Sequence, residues 1–591
     1  QNSPRFEPPA DEKQGAVPEC KIRPADAVDE LLAKNKKTVN ERLTRILSDN
    51  SASADLQLLA EAYRKPWTVA YKNPKAIAAF IRAGDAFTAP GKIGPQWSGA
   101  GPLGEALATI GADPLLLKAL DEEIEVPVEL PFVPITQHPD INKDATHIVP
   151  TLSGKKMRLT RREAWARFLK ASVDWNRTLG RRAYTNQSMI VDHGIYAANR
   201  GLALLDPERA LPEDQARRYL YESVGLLPWL GNDLPEGGSA KPYGEHYYLV
   251  SRKGLSRELG WVGTYGETIL IFLRNMAALT GDPKLLTRLN DLQTKRLFFR
   301  YPSVDTDGYR TMKLTSEMDG RTAHFPKSNA AYAAPDIRES WWMDVAAFTK
   351  DPAAVGAVQQ CLADNQYYPR LAQRANDKDS LGMMRNIDEY AIVQALPKSS
   401  FRIPTDDGQP DFVFTDEENA VVALKHGDDK LFVNFYYRQE GGVSGSTRIL
   451  EITPRILRIA TVLSQFEVNG TGQFWTRPDQ IDFLRSGGFP PPGEDLHQAW
   501  AGEKLPIAKH PDDAKEPSYG NWGPFVGKAS FYHLRYGDYL IAVNTTESET
   551  FTLPVPNGAS EARDLVTGKT VKLDHPIPVP PLTTVVLHLG R

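Results

Sequence analysis

Cysteine is nearly absent from this sequence: Cys20 and Cys361 are the two in 591 residues, too few for a cysteine-ligated zinc site or a disulfide-dense scaffold. They allow one bridge between an N-terminal arm and a helical body in an oxidising compartment, or two unrelated buried thiols, because spacing along the chain fixes no distance in space. Long apolar runs are lacking too. Leu220–Leu230 is interrupted by Glu222 and Pro228 and is far shorter than the roughly 20 apolar residues needed to span a bilayer. Neither sign of charge dominates: 70 basic against 74 acidic residues leave a formal net charge of -4. That excludes a general nucleic-acid or anionic-membrane binder, so any polyanion must be gripped locally. There is no phosphate-binding glycine loop ending in Lys-Ser/Thr, no His-Glu-x-x-His and no Gly-x-Ser-x-Gly, which argues against nucleotide hydrolysis, zinc proteolysis and serine-esterase chemistry.

What is present is enough chain for two or three domains, with an apolar fraction of 41% that is ordinary for a globular protein. Apolar residues recur at three- and four-residue spacing in Ala27–Ile46, Leu103–Leu120, Arg161–Trp175, Met189–Leu205, Asp214–Leu227, Thr268–Leu279, Pro283–Leu297, Trp341–Phe348 and Ala353–Leu362, the signature of many short helices. After about Phe401 the pattern changes to β-rich runs, among them Ala420–Leu424, Leu431–Tyr437, Ile449–Ile452, Ile456–Val462, Ser530–Leu534, Tyr539–Val543 and Thr583–Leu587. Helices followed by strands imply a multidomain α+β chain rather than an alternating fold. The expected division is an N-terminal arm over 1–24, a helical domain over 25–400 and an antiparallel β-sandwich over 401–591. The helical hairpins suit an incomplete (α/α) toroid. Gln1 and the polar, proline-rich segment after it resemble a chain whose signal peptide has been removed, so a secreted or periplasmic bacterial protein is expected.

The chemistry concentrates in Gly237–Ile269, where four Tyr, one His and seven Gly share one loop-to-helix passage. Such a stretch is poor core material and suits the lining of a cleft. At its end, Gly263-Thr264-Tyr265-Gly266 presents a phenol where glycines let a ligand approach closely, and a phenol tuned by nearby cations can serve as base and then acid. Upstream, Asn186, Gln187, His193 and Asn199 lie on or beside one amphipathic helix, with Asn186 and His193 about two turns apart. Downstream, Arg321 follows Gly320, and a guanidinium fork suits a carboxylate.

Three motifs in order, Thr185-Asn186-Gln187, Gly238-Ser239…Gly263-Thr264-Tyr265-Gly266 and Met318-Asp319-Gly320-Arg321, resemble those of the hyaluronate, chondroitin AC and xanthan lyases of polysaccharide lyase family 8. Arg321 lies 56 positions after Tyr265, a separation similar in scale to that family's. The resemblance covers the helical half. It implies that Tyr265 moves the proton while Asn186 and Arg321 neutralise a uronate carboxylate. The family's histidine lies shortly before its tyrosine; here Ser256 and its neighbours occupy that stretch, leaving His246 or His193 for the role.

β-Elimination fits these groups. Abstraction of the C5 proton of a uronate drives charge onto its carboxyl group, which Asn and Arg donors stabilise; expulsion of the C4 oxygen then leaves a 4,5-unsaturated sugar. No metal or organic cofactor is required, and a structural calcium ion is compatible with the sequence without being indicated by it. The expected partner is an anionic poly- or oligosaccharide substrate, and the protein itself is expected to be a monomer. Gln187, Tyr243, Tyr248, Trp97, Trp261 and Arg252 are candidate substrate contacts, with core packing the alternative for the aromatic ones. Two other readings stand beside the lyase. A toroidal glycoside hydrolase needs paired carboxylates, for which Asp192, Glu267, Asp319, Glu339 and Asp344 are available. A non-catalytic glycan-binding protein would use the aromatic loops as a platform.

Overall fold

The computed structural model describes residues 21–590 apart from 23, 25, 50–52, 90–98, 130–151, 182–184, 259, 305–307, 316–317, 319–340, 364–370, 373, 375, 377, 437–440, 480–499 and 516–522; the side chains of 26, 27, 129, 152, 153, 264, 265 and 341 also fall outside the described set. The chain first forms α1 (Asp26–Ser48), α2 (Leu56–Arg64), α3 (Pro74–Phe87), α4 (Gly101–Ile110), α5 (Pro114–Leu120), α6 (Arg161–Trp175), α7 (Thr185–Leu205) and α8 (Glu213–Ser223). After a long loop come α9 (Thr264–Glu267), α10 (Ile269–Thr280), α11 (Pro283–Arg296), α12 (Trp341–Thr349), α13 (Pro352–Ala363) and α14 (Ser380–Ala395).

Local sequence explains where these helices start. Asn73-Pro74, Asp113-Pro114, Asp282-Pro283 and Asp351-Pro352 each put a side-chain acceptor before a proline at the first helical position. The acceptor satisfies an orphan N–H, and the proline has none to lose. Asp113-Pro114 also breaks the expected Leu103–Leu120 run into α4 and α5, and α4 begins inside the expected Gly94–Gly104 loop. The expected runs did not include α2, α3 or α14, although α2 buries Leu56, Leu58, Leu59 and Ala60 and α3 buries Ala76, Ile77, Ala79 and Phe80.

Two hairpins interrupt the helices: β1 (Glu123–Glu129) with β2 (Leu152–Thr160), and β3 (Arg300–Val304) with β4 (Arg310–Leu314). Beyond α14 the strands dominate. β5 (Phe412–Asp416), β6 (Val421–His426), β7 (Asp429–Asn434), β8 (Ser446–Ile452) and β9 (Leu457–Leu463) form a five-stranded meander in sequence order. A six-stranded sheet follows, in the spatial order Gln465–Glu467, Phe531–Tyr536, Tyr539–Asn544, Thr584–His588, Glu561–Asp564 and Thr570–Lys572. Every pairing between named strands is antiparallel among the described residues, so helix followed by antiparallel sheet is the observed order.

Strand alternation divides the meander's side chains between two cores. Val422, Leu424 and Val433 join Tyr532, Leu534, Ile541 and Val543 of the second sheet. Val421, Ala423 and Phe432 point the other way, onto Leu255, Trp261, Phe299 and Tyr301. The sheet is therefore a wall against which the Leu255–Trp261 passage is packed. Within the helices α7 is central: Met189 and Tyr196 enter one apolar cluster, while Val191, Ile195, Ala198 and Leu202 enter another. Gly201 on α7 meets Gly104 on α4 so closely that a Cβ at 201 would lie 2.8 Å from the Gly104 Cα.

A polar seam crosses this helical interior. His193 of α7 lies 2.7 Å from Glu105 of α4, Arg385 of α14 pairs with Glu61 of α2, and Arg274 of α10 lies 2.8 Å from Asp344 of α12. Burial opposes ionisation of Glu105, but His193 and Arg385 outweigh it and hold the carboxyl below its usual range. Glu389 of α14 shares a hydrogen bond with Asp344; burial and the Asp344 charge push it up to about 8. Because the folded state keeps this proton, its contribution to stability is complete below about 4.5 and is lost as pH rises through about 8. Thermal unfolding midpoints of wild type should therefore fall between pH 5 and pH 9, and Glu389→Gln, which keeps the shape without the titration, should show a smaller fall. Parallel declines in the two proteins would refute this.

Candidate active site

The site is assembled around the start of α7. The Thr185 hydroxyl donates to the Leu249 and Arg257 carbonyls and accepts from the Arg257 N–H at 2.8 Å. The next residue, Asn186, donates its backbone N–H to Glu258 Oε1 at 2.5 Å, a carboxylate placed where a helix N-terminus favours negative charge. The Asn186 side chain is 1% exposed, yet neither its Oδ1 nor its Nδ2 has a hydrogen-bond partner. Among the described residues one other asparagine has both amide atoms buried and unpaired: Asn176, in the π-helical turn Asn176–Gly180 that follows α6. Buried polar groups are nearly always paired, and π-turns concentrate at functional sites.

The Val250–Ser256 segment leading to Glu258 is closed by its own bridge, Val250 to Ser256, and held from the sheet side by the turn after β5. Ser251 donates to Asp416. The Arg252 N–H donates to Glu418 at 2.5 Å, the Arg257 guanidinium pairs with the same carboxylate, and Asn419 reaches the Ser256 carbonyl at 3.3 Å. Burial raises the Asp416 carboxyl above its ordinary range, against the Ser251 bond. One four-residue turn, Asp416–Asn419, thus grips the whole passage.

From Glu258 the chain runs through Trp261 to α9, whose second residue is Tyr265; the Tyr265 side chain lies outside the described residues. The turn rests on buried Arg296, the last residue of α11. Its Nη2 donates to the carbonyls of Val262 at 3.0 Å and Gly263 at 2.8 Å. Its guanidinium lies over the Trp261 ring, 4.7 Å from the centroid. A Cβ at Gly266 would lie 3.0 Å from Arg296 Nη1, so any larger residue there would have to push the guanidinium by a few tenths of an ångström. Glu267 accepts from Arg300 and from Trp342 Nε1 at 3.2 Å, and lies 3.7 Å from Arg296 Nε. Burial pulls Arg296 down to about 10; Glu267 opposes that pull and Arg300 adds to it.

The other candidates fall into separate places. His246, Tyr248 and Arg252 share a cleft of about 710 Å³ with Arg288, Glu418 and Glu547, and Arg252 lies 2.6 Å from Glu547. His193 is in the helical seam with Glu105, one face toward Phe272. Gln187 is half-buried on α7. Tyr243 stacks on Trp229 at 5.7 Å and meets Tyr247 and Phe525 edge-on. Trp261, expected among the substrate contacts, takes the core alternative: it is 2% exposed, stacks on Phe299 at 3.9 Å and donates to the Thr315 carbonyl at 3.3 Å. Arg321 and Trp97 lie outside the described residues, as do Asp319 and Glu339. The described carboxylates of the hydrolase reading are all engaged with cations: Asp192 with Arg181 at 2.8 Å, Glu267 with Arg300, Asp344 with Arg274. Among the described residues no cluster of His, Cys, Asp or Glu is placed to hold a metal ion, and no helix is long and apolar enough to cross a membrane.

Sequence reading missed Glu258, Arg296, Arg300 and the Asp416–Asn419 turn. The run of acids at the end of a β-strand was the visible signal for the turn. Nothing local marks Arg296, whose partners lie 33 and 34 positions away.

No protein-family model and no curated protein matches this chain. Among solved structures, the chondroitin AC lyase of Streptomyces coelicolor A3 in complex with chondroitin sulphate aligns over 98% of this chain and 81% of its own, with 11% identity and a TM-score of 0.36. A mutant of that enzyme gives 12% identity, the same coverage and the same TM-score. At that TM-score the likeness carries no argument, and the functional reading rests on the residues themselves.

An unpaired buried carboxamide costs about 1–3 kcal/mol, so Asn186→Leu, similar in volume and without the orphan atoms, should leave the thermal midpoint unchanged or raise it. If Asn186 serves a ligand, the same variant should lose most activity. A drop in stability of several degrees would mean that the amide is needed by the fold.

Proposed function

We propose that this chain is a polysaccharide lyase that cleaves a uronate-containing glycan by β-elimination, built as an incomplete (α/α) toroid followed by an antiparallel β-sandwich and working outside the cytoplasm. The observation that carries the reading is Asn186: a buried carboxamide with both amide atoms unpaired, at a helix start, tied through Glu258 to the segment that leads into the Tyr265 turn. A uronate carboxylate would give its Nδ2 an acceptor. Arg321 would supply a second, bidentate donor to the same carboxylate. With its charge neutralised, the C5 proton passes to the ionised Tyr265 oxygen, the C5 electron pair forms the C4–C5 double bond, and the C4–O bond breaks. The departing oxygen then takes the proton back from Tyr265, which returns to its starting state. The engagement of Asp192, Glu267 and Asp344 in ion pairs weighs against the hydrolase, because none of these is a free acid or base.

The test is an ultraviolet-absorbance screen over hyaluronan, chondroitin, xanthan, alginate and glucuronan, since the unsaturated product absorbs in the near ultraviolet. New reducing ends without absorbance would establish a hydrolase, and binding without any product would establish a glycan-binding protein. With a substrate in hand, Tyr265→Phe should lower turnover by roughly two to four orders of magnitude while substrate binding survives; a rate within a few-fold of wild type would end the assignment. Arg321→Lys keeps a cation but loses the fork, so its turnover should also fall strongly, and near-normal kinetics in folded Arg321→Ala would remove Arg321 from the site.

A further inference from the structure

We infer that the pocket between the end of α2, the turn into α3 and the end of α4 binds an acidic sugar unit of a glycan, with the carboxylate on Arg64 and Lys72 and the sugar ring against Tyr71. It lies at the far end of α7 from Asn186. A Cβ at Gly111, directly after α4, would lie 3.3 Å from Leu204 Cδ1, and residue 204 is about 27 Å along the helix axis from residue 186. The inference goes beyond the lyase reading and shares with it only the class of ligand.

The pocket has a volume of about 380 Å³, in the range of small-molecule sites. Both of its cations are uncommitted: Arg64, the last residue of α2, and Lys72 form no ion pair among the described residues, whereas Lys65 beside them pairs with Asp388. The acid in the described lining is Asp113, and both of its oxygens are engaged. Oδ1 accepts from the Leu115 and Leu116 N–H groups at the start of α5, and Oδ2 accepts from the Tyr63 hydroxyl at 2.7 Å. Lys72 stands in the left-handed region, at φ 48°, with its N–H donating to the Tyr63 carbonyl at 3.0 Å. That conformation is costly for a residue with a side chain, and such strain gathers where ligands are clamped. The Lys72 ammonium lies 5.3 Å from the Tyr71 ring centroid, and Tyr71 is 38% exposed. The turn beneath is pinned: Trp67 Nε1 donates to Asp388 at 2.8 Å, and the Thr68 hydroxyl donates to the Ala62 carbonyl at 2.6 Å. Two cations without acids suit a carboxylate, and an exposed aromatic ring beside them suits the C–H face of a sugar. An anion without such a face would leave Tyr71 unused.

The experiment is amide hydrogen exchange of the full chain with hexasaccharides of hyaluronan, alginate and polygalacturonate, and with cellohexaose as the neutral control. Cleaved or intact, the first three keep acidic sugar units. At least one of them should slow exchange in the peptides over 56–73 and 109–116, and cellohexaose should not. The double variant Arg64→Gln/Lys72→Gln should lose this protection, and Tyr71→Ala should raise Kd by about tenfold; protection at the start of α7 should survive in both. Lys72→Gly removes the ammonium and suits the left-handed backbone, so it should weaken binding with an unchanged or higher thermal midpoint. A lower midpoint with unchanged binding would make Lys72 part of the fold and overturn its role here. Protection that is absent with all three acidic probes, equal with cellohexaose, or unaltered in the double variant overturns the inference. The ultraviolet screen reports on the lyase reading separately: a chain that forms no unsaturated product yet protects this pocket loses that reading and keeps this site, and the converse result does the reverse.

Discussion

The candidate site depends on one tether between parts of the chain far apart in sequence: the Asp416–Asn419 turn gripping the Val250–Glu258 passage. Ser251 and Asp416 are separated by 165 positions, and a loop of this kind has little reason to hold one shape by itself. Once the turn is docked, Arg257 and Leu249 are in place to receive Thr185, and Glu258 to receive the Asn186 N–H. The start of α7 and the approach to α9 are thereby referred to a single rigid object, the five-stranded sheet. Strands β6 to β8 of that sheet are packed on both faces.

Buried charge is used in this molecule to specify geometry. Arg296 with Glu267 and Arg300, Arg181 with Asp192 and Glu222, and the seam from Glu105 to Glu389 are all inside the helical half. Desolvation cancels most of the attraction in such pairs, so their net contribution to stability is small, while removing one partner costs about 3–5 kcal/mol. They therefore penalise alternatives more than they favour the native packing. A turn held by Arg296 cannot rotate without stranding a guanidinium in the core. Asn186, like Asn176, is a different case: both of its amide atoms are buried without a partner.

Much of the fold was legible from the sequence alone. Helix starts follow from Asp-Pro and Asn-Pro pairs, the strands beyond Phe412 from short β-rich apolar runs separated by turn residues, and the passage from helix to antiparallel sheet from the order of those patterns. These features are local: a cap or an alternating face involves neighbours within a few residues, so the sequence states them directly. The richness of the Gly237–Ile269 passage in Tyr and Gly was equally plain.

What tertiary structure alone decided is what each face meets. Trp261 reads identically as a sugar platform or as core, and only the arrival of Phe299, Arg296 and the β6–β7 face makes it core. His193 sits two turns from Asn186 on the same helix, yet the approach of α4 turns it to Glu105. Glu61 and Arg385 pair across 324 positions, and nothing in either segment names the other. Periodicity shows which side of an element is buried; which charge, ring or carbonyl waits on the far side is set by long-range packing, and that is why Asn186 was visible as a candidate while the arginine beneath the Tyr265 turn was not.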